Sequence, residues 1–113
     1  MSNSGNPFTP IHPGEILKDE LHYRGISQKK FAEVLDVSYP FINEILNGKR
    51  PVTTSFALLV EAALGIKAYM LVNIQTDYDL QVTRKDLKTE LRLEKIRNIS
   101  RKLNINPYVV LGV

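Results

Sequence analysis

The chain has no cysteine in its 113 residues. That absence excludes a disulfide framework, a zinc–thiolate site and a thiol nucleophile together. No stretch approaches the roughly 18 uninterrupted apolar residues of a membrane helix, so no membrane span is expected. The opening residues, MSNSGNPFTP, lack a basic region followed by an apolar run, so no secretory signal is expected either. These absences fit a reducing cytoplasm. There is also no Gly-rich phosphate loop, no Ser/His/Asp set and no pair of carboxylates in apolar surroundings. A catalytic centre is therefore not expected, and the chain reads as something other than an enzyme. The two histidines, His12 and His22, have no partner acids at ligand spacing, so neither a metal nor a cofactor is expected. They read as a residue at the start of a helix and a surface residue.

What is present is ordinary globular composition, 43% hydrophobic and 24% charged, which excludes wholesale disorder. The length suits about one domain with a tail. The net charge of +3 is unevenly spread. Residues 1–82 hold seven Lys/Arg against nine Asp/Glu, a balance of −2, whereas residues 83–113 hold eight against three, a balance of +5. Anion binding by the first part therefore depends on where its few cations sit.

Residues 1–11, with Ser, Asn, Gly and two prolines, read as a flexible N-terminal arm. From Pro13 the apolar spacing turns helical, with Ile16, Leu17 and Leu21 on one side and Gly25 as the stop. Ser27 is placed to cap a second helix, Gln28 to Leu35, whose inner face holds Phe31, Ala32 and Leu35. Ser38 is placed to cap a third, Tyr39 to Asn47, with Ile42, Ile45 and Leu46 inward and Pro40 in its first turn. Thr53 or Thr54 opens a fourth, carrying Phe56, Leu59 and Ala63 and closed by Gly65. A fifth, from Ala68 to Asp77, is apolar nearly all round. That breadth suggests burial on two sides, with Tyr69, Met70 and Val72 at a homodimer interface; the alternative is a monomer core. Thr83 to Asp86 forms a weak capping box for a charged helix over 84–103, with Leu87, Leu91, Ile96, Ile99 and Leu103 as its apolar positions. Asn106 to Val113 would dock as a strand or stay loose.

Two short helices joined by a tight connection, the second capped by Ser, are the helix-turn-helix pattern. Counting from Gln28, the fifth position is the small Ala32, where the two helices would cross closely. The fifteenth and eighteenth are Ile42 and Ile45, which would hold the second helix to the core. The ninth, where the backbone turns left-handed, is Asp36 in place of the more tolerant glycine.

The order of motifs now points to a family. HPGEIL over 12–17, GISQ over 25–28, INEILNGKR over 42–50, TTSFA over 53–57 and LVNIQTDYDL over 71–80 together resemble the HigA/VapI antitoxins. These belong to the XRE (lambda-repressor-like) helix-turn-helix proteins. The resemblance covers about residues 12–80. It implies an all-α, five-helix lambda-repressor-like domain over 12–80, and says little of the basic C-terminal extension over 81–113. It also implies a dimer that binds its operator DNA, represses its own operon and neutralises a HigB-type mRNA-cleaving toxin. The third helix would lie in the major groove. Gln28 would bond a phosphate at the second helix's N-terminus, and Ser38, Asn47, Lys49 and Arg50 would contact the backbone. Tyr39 and Asn43 would read bases, Asn43 because its amide matches adenine.

One departure stands out. Related recognition helices often begin with Arg or other long polar residues, and this one begins Tyr39-Pro40-Phe41. Phe41 would pack on a thymine methyl or be an exposed apolar residue, and Glu44 would repel phosphates unless it accepts from a cytosine amine. Two other readings follow: a stand-alone XRE-type repressor without a toxin, and a module that sequesters protein and no longer reads DNA. The basic tail has three readings: a helix packed on its own domain, a toxin-binding element, or a basic arm on DNA phosphates. HigB-type toxins are usually basic, so toxin contact by the tail would run through its apolar stripe.

Overall fold

The computed structural model describes residues 9–105, and these contain six helices and no strand. In order they are α1 (Pro13–Tyr23), α2 (Gln28–Leu35), α3 (Tyr39–Leu46), α4 (Thr54–Leu64), α5 (Ala68–Lys85) and α6 (Leu87–Lys102). The first eight residues of the expected arm, and Asn106 to Val113, lie outside the described residues. The chain divides into two compact units, one ending at Asp79 and the other starting at Leu80.

In the first unit each helix start is marked by a side chain that takes up an unpaired N–H. Ser27 Oγ accepts from Lys30 N at 3.1 Å, Ser38 Oγ from Phe41 N at 3.2 Å, and Thr53 Oγ1 from Phe56 N at 3.2 Å. Caps of this kind are worth about 1 kcal/mol each. That matters for α2 and α3, which have eight residues each and are too short to persist alone. Packing supplies the rest. Leu17, Leu21, Phe31, Ala32, Ile42, Ile45, Leu46, Phe56, Ala57, Val60 and Leu71 form one buried cluster. Ala32 is buried as the helix-turn-helix count requires, and Asp36 caps α2 in the left-handed region at φ 55°.

Two close approaches set the relation of α1 to the rest. Gly14 faces the Ile45 carbonyl at the end of α3, and a Cβ there would stand 1.9 Å from that oxygen. Arg24, bonded to Glu20 at 2.8 Å, donates to the Leu64 carbonyl at 2.9 Å and so satisfies the last turn of α4.

The structure corrects several expectations. The inner face of α4 is Phe56, Ala57 and Val60, whereas Leu59 and Ala63 are exposed. Phe56, Ala57 and Val60 fall on one stripe at helical spacing, and Leu59 and Ala63 fall beside it. α5 runs on to Lys85, and only Leu71 and Gln75 on it are buried. Thr83 is therefore inside a helix, not capping one. The cap of α6 is Asp86, whose Oδ2 accepts from Thr89 N at 3.1 Å and from Thr89 Oγ1 at 2.9 Å. Asp86 caps α6 because its carboxylate takes up both the backbone N–H and the hydroxyl of Thr89. α6 has no buried residue, and Leu87, Leu91, Ile96, Ile99 and Leu103 are all exposed. No helix of the described residues is long and apolar enough to cross a membrane.

Candidate nucleic-acid interface

Three segments build the candidate surface: the start of α2, the outward side of α3, and the loop from Asn47 to Val52. Their positions follow from the core. Ile42, Ile45 and Leu46 are buried on the inward side of α3, so Asn43 and Asn47 turn away from it, while Tyr39 stands exposed at the first position of the helix. Tyr39 is 48% exposed and Asn43 is half-buried.

The polar residues expected at the site are brought together. Asn43 Nδ2 donates to Gln28 Oε1 at 3.0 Å, joining the recognition helix to the N-terminus of α2. Asn47 Nδ2 donates to the Asn43 carbonyl at 2.9 Å and to Asn43 Oδ1 at 3.2 Å. Lys18, an exposed residue of α1, donates to Asn47 Oδ1 at 3.2 Å. Nothing in the local sequence pairs two residues 29 positions apart; their proximity comes from the packing of α1 beside α3. The Ser38 hydroxyl caps α3 as an acceptor and keeps its own O–H as a donor. The Lys49 side chain is exposed.

Arg50 is more constrained than its place in a loop suggests. Its guanidinium meets Glu44 Oε1 at 3.2 Å through Nη2 and at 3.3 Å through Nε, and lies 5.0 Å from the Phe41 ring centre. Phe41 in turn packs edge-on against Phe56 at 5.8 Å between ring centres. This revises two expectations. Phe41 serves as a half-buried platform for Arg50 and the core, so it is not an exposed apolar residue. Glu44 accepts from Arg50, which offsets the repulsion it would otherwise exert on phosphates.

The loop that carries Lys49 and Arg50 is held from behind. His12 caps α1 through Nδ1, which accepts from Gly14 N at 2.9 Å. Its ring is 95% covered, lies edge-on to Tyr78 at 5.0 Å, and packs against Gly48. Burial pushes the imidazole below its usual pKa, against the opposing pull of Asp79, Glu15 and a hydrogen bond to the Arg50 backbone. Gln75 completes the support: its Oε1 accepts from Val52 N at 2.8 Å and its Nε2 donates to Asp79 Oδ1 at 2.9 Å. Neither His12 nor Gln75 stands out in the sequence as part of the site. His12 does begin a helix, as expected, but its reach to the loop needs the tertiary structure.

Of the residues expected at a dimer interface, Tyr69 is 69% and Met70 42% exposed, while Val72 packs in part on the core of its own unit. Among the described residues no group of three or more His, Asp or Glu is placed to hold a metal.

A helix-turn-helix family model matches residues 24–71, the segment that holds α2, α3 and α4. The chain is 40% identical over 82 residues to virulence-associated protein I of Dichelobacter nodosus, an alignment covering 72% of this chain and 76% of that protein. It therefore belongs to the HigA/VapI family of helix-turn-helix antitoxins. Solved structures agree. An addiction module antidote protein of the HigA family from Coxiella burnetii superposes with a TM-score of 0.70 at 34% identity, covering 77% of this chain and 94% of that one. Pseudomonas aeruginosa antitoxin HigA, solved with the higBA promoter, gives 0.65 at 30% identity, covering 88% and 99%.

Proposed function

We propose that this HigA-family chain acts as a homodimer in the cytoplasm, binds operator DNA to repress its own operon, and neutralises a HigB-type toxin. The carrying observation is the set Gln28, Asn43 and Asn47, gathered into one hydrogen-bonded patch at the exposed junction of α2 and α3. In this reading α3 enters the major groove, with Asn43 and Tyr39 at base edges. Gln28, Ser38, Asn47, Lys49 and Arg50 take phosphates. Arg50 retains guanidinium donors beyond those bonded to Glu44, so it can serve both. Tyr69 and Met70, with Val72 beside them, form the dimer seam, because two large exposed apolar side chains at neighbouring positions gain from being covered. The solved HigA–promoter complex of Pseudomonas aeruginosa supports the operator part of the reading.

Band shifts at low salt with the DNA upstream of the gene test the DNA half. A specific complex is expected, weakened in Gln28→Ala and in Asn43→Ala; no shift at low salt overturns it and leaves a protein-sequestering module. Co-expression with the neighbouring small reading frame tests the antitoxin half. Growth arrest by that frame alone, relieved by this chain, is expected. A harmless neighbour that does not co-purify leaves a stand-alone repressor.

A further inference from the structure

Four side chains from α1, α2 and α3 form one hydrogen-bonded chain with a fixed direction. Lys18 Nζ, which can only donate, gives to Asn47 Oδ1 at 3.2 Å. Asn47 Nδ2 then faces the Asn43 backbone carbonyl at 2.9 Å, which can only accept, and Asn43 Oδ1 at 3.2 Å. Asn43 Nδ2 is consequently turned to Gln28 Oε1 at 3.0 Å. A carboxamide accepts at one end and donates at the other, so each link dictates the next. Two members admit no reversal, the ammonium and the backbone carbonyl. The chain ends on Gln28 Nε2, whose two N–H groups have no protein acceptor among the described residues. Lys18, Ser27 and Gln28 also line one depression of about 330 Å³ between α1 and the start of α2.

We propose that Lys18 is a positioning residue for DNA recognition: through Asn47 and Asn43 it sets the sense of the amide chain, so that Gln28 presents donors. The proposal rests on the operator-binding reading above and deepens it. A Gln28 amide presented nitrogen-first fits a phosphate oxygen, an acceptor, at the N-terminus of α2. Asn43 keeps one N–H and one oxygen lone pair beyond those spent within the protein, in a fixed sense, which suits the N7 acceptor and N6 donor of adenine. With Lys18 gone, the Asn43 carbonyl is the one fixed partner left to order Asn47, and the amides beyond it are held less firmly in this sense before binding.

The competing role for an exposed lysine here is direct phosphate contact, and the salt dependence of binding separates the two. Affinities for the upstream DNA are measured across a salt series for wild type, Lys18→Met, Lys18→Arg, Gln28→Ala and the Lys18→Met/Gln28→Ala double variant. Lys18→Met is expected to weaken binding roughly fivefold, in the range of coupled neighbours. The slope of log affinity against log salt stays unchanged, Lys18→Arg recovers the loss, and Lys18→Met adds nothing in the Gln28→Ala background. A slope shallower by about 0.9, the loss of one phosphate contact, overturns the proposal. Additive effects in the double variant overturn it as well. In the free protein, Lys18→Met is expected to shift the side-chain amide NMR signals of Asn43 and Gln28. Unmoved signals sink the positioning role even if DNA binding is intact, and shifted signals without any DNA complex sink only the operator reading.

Discussion

The two units of this chain are built on opposite principles. Residues up to Asp79 carry an excess of acids yet enclose the whole buried apolar cluster, and their helix ends are capped and cross-braced. From Leu80 onward the chain is strongly basic, and among its described residues none is buried. The first unit is ordered by burial, where removing a methyl group from water counts for about 0.8 kcal/mol. The second is ordered by local terms: the Asp86 cap, an Arg97–Glu94 pair three residues apart, and helix propensity. Net charge therefore says little about which part meets DNA. The acidic unit holds the organised polar surface, and the basic one holds the charge.

Substitutions can break or sharpen this contrast. The largest effect belongs to Gly14→Ala, which places a methyl group against the Ile45 carbonyl. A loss of about 3 kcal/mol or more is expected in urea unfolding; a loss below about 1 kcal/mol would show that α1 shifts freely over α3. Ile45→Ala, emptying a fully buried site, should cost about 3 kcal/mol. By contrast Ile96→Ser in α6 should change stability by less than about 0.5 kcal/mol. A comparable loss at Ile96 would mean that the tail helix is covered in solution, and the contrast between the units would fail.

His12 gives a pH effect confined to the first unit. Its pKa is lowered by folding, so the unfolded chain takes up the proton first as pH falls. The stability it contributes is full above pH 6.5 and declines below that value until the folded protein also binds the proton. The decline is bounded by about 1.4 kcal/mol per pH unit for one proton. His12→Asn, which keeps a capping acceptor but cannot titrate, should flatten the profile between pH 7 and pH 5 on the order of that bound. An unchanged profile would mean that the buried imidazole does not set it. One substitution should be a gain: Asp36→Gly relieves a left-handed residue and should stabilise by about 0.5–1 kcal/mol. A loss would assign the Asp36 side chain a role beyond the turn.

The helix-turn-helix was legible because its signals are local and periodic. Ser27, Ser38 and Thr53 announce helix starts, and Ala32, Ile42 and Ile45 sit at spacings that only one packing satisfies. Where several stripes compete, the pattern misleads. Leu59 and Ala63 are apolar as Val60 is, and only the packing of α4 on the shared core decides that Val60 is the residue buried. The run from Asp77 to Lys85 reads as a break because it is polar, yet it continues α5, since a solvated helix needs no apolar stripe. At the candidate site, Gln28, Asn43 and Asn47 are each expected from the sequence one by one. That they bond to each other, that Arg50 lies on Phe41 beside Glu44, and that His12 and Gln75 brace the loop are facts of long-range contact.

By itself, then, the amino-acid order determined the cysteine-free helical class, the Ser27 and Ser38 caps, the helix-turn-helix and the uneven charge of −2 and +5. These are properties of neighbours, or of residues a few positions apart, where one turn of helix carries the signal. The tertiary structure alone decided which polar groups are spent within the protein and which remain to meet a partner. Hydrogen bonding is a matter of about 3 Å, and the groups concerned here, Lys18 with Asn47, Gln28 with Asn43 and Gln75 with Val52, are 15 to 29 residues apart.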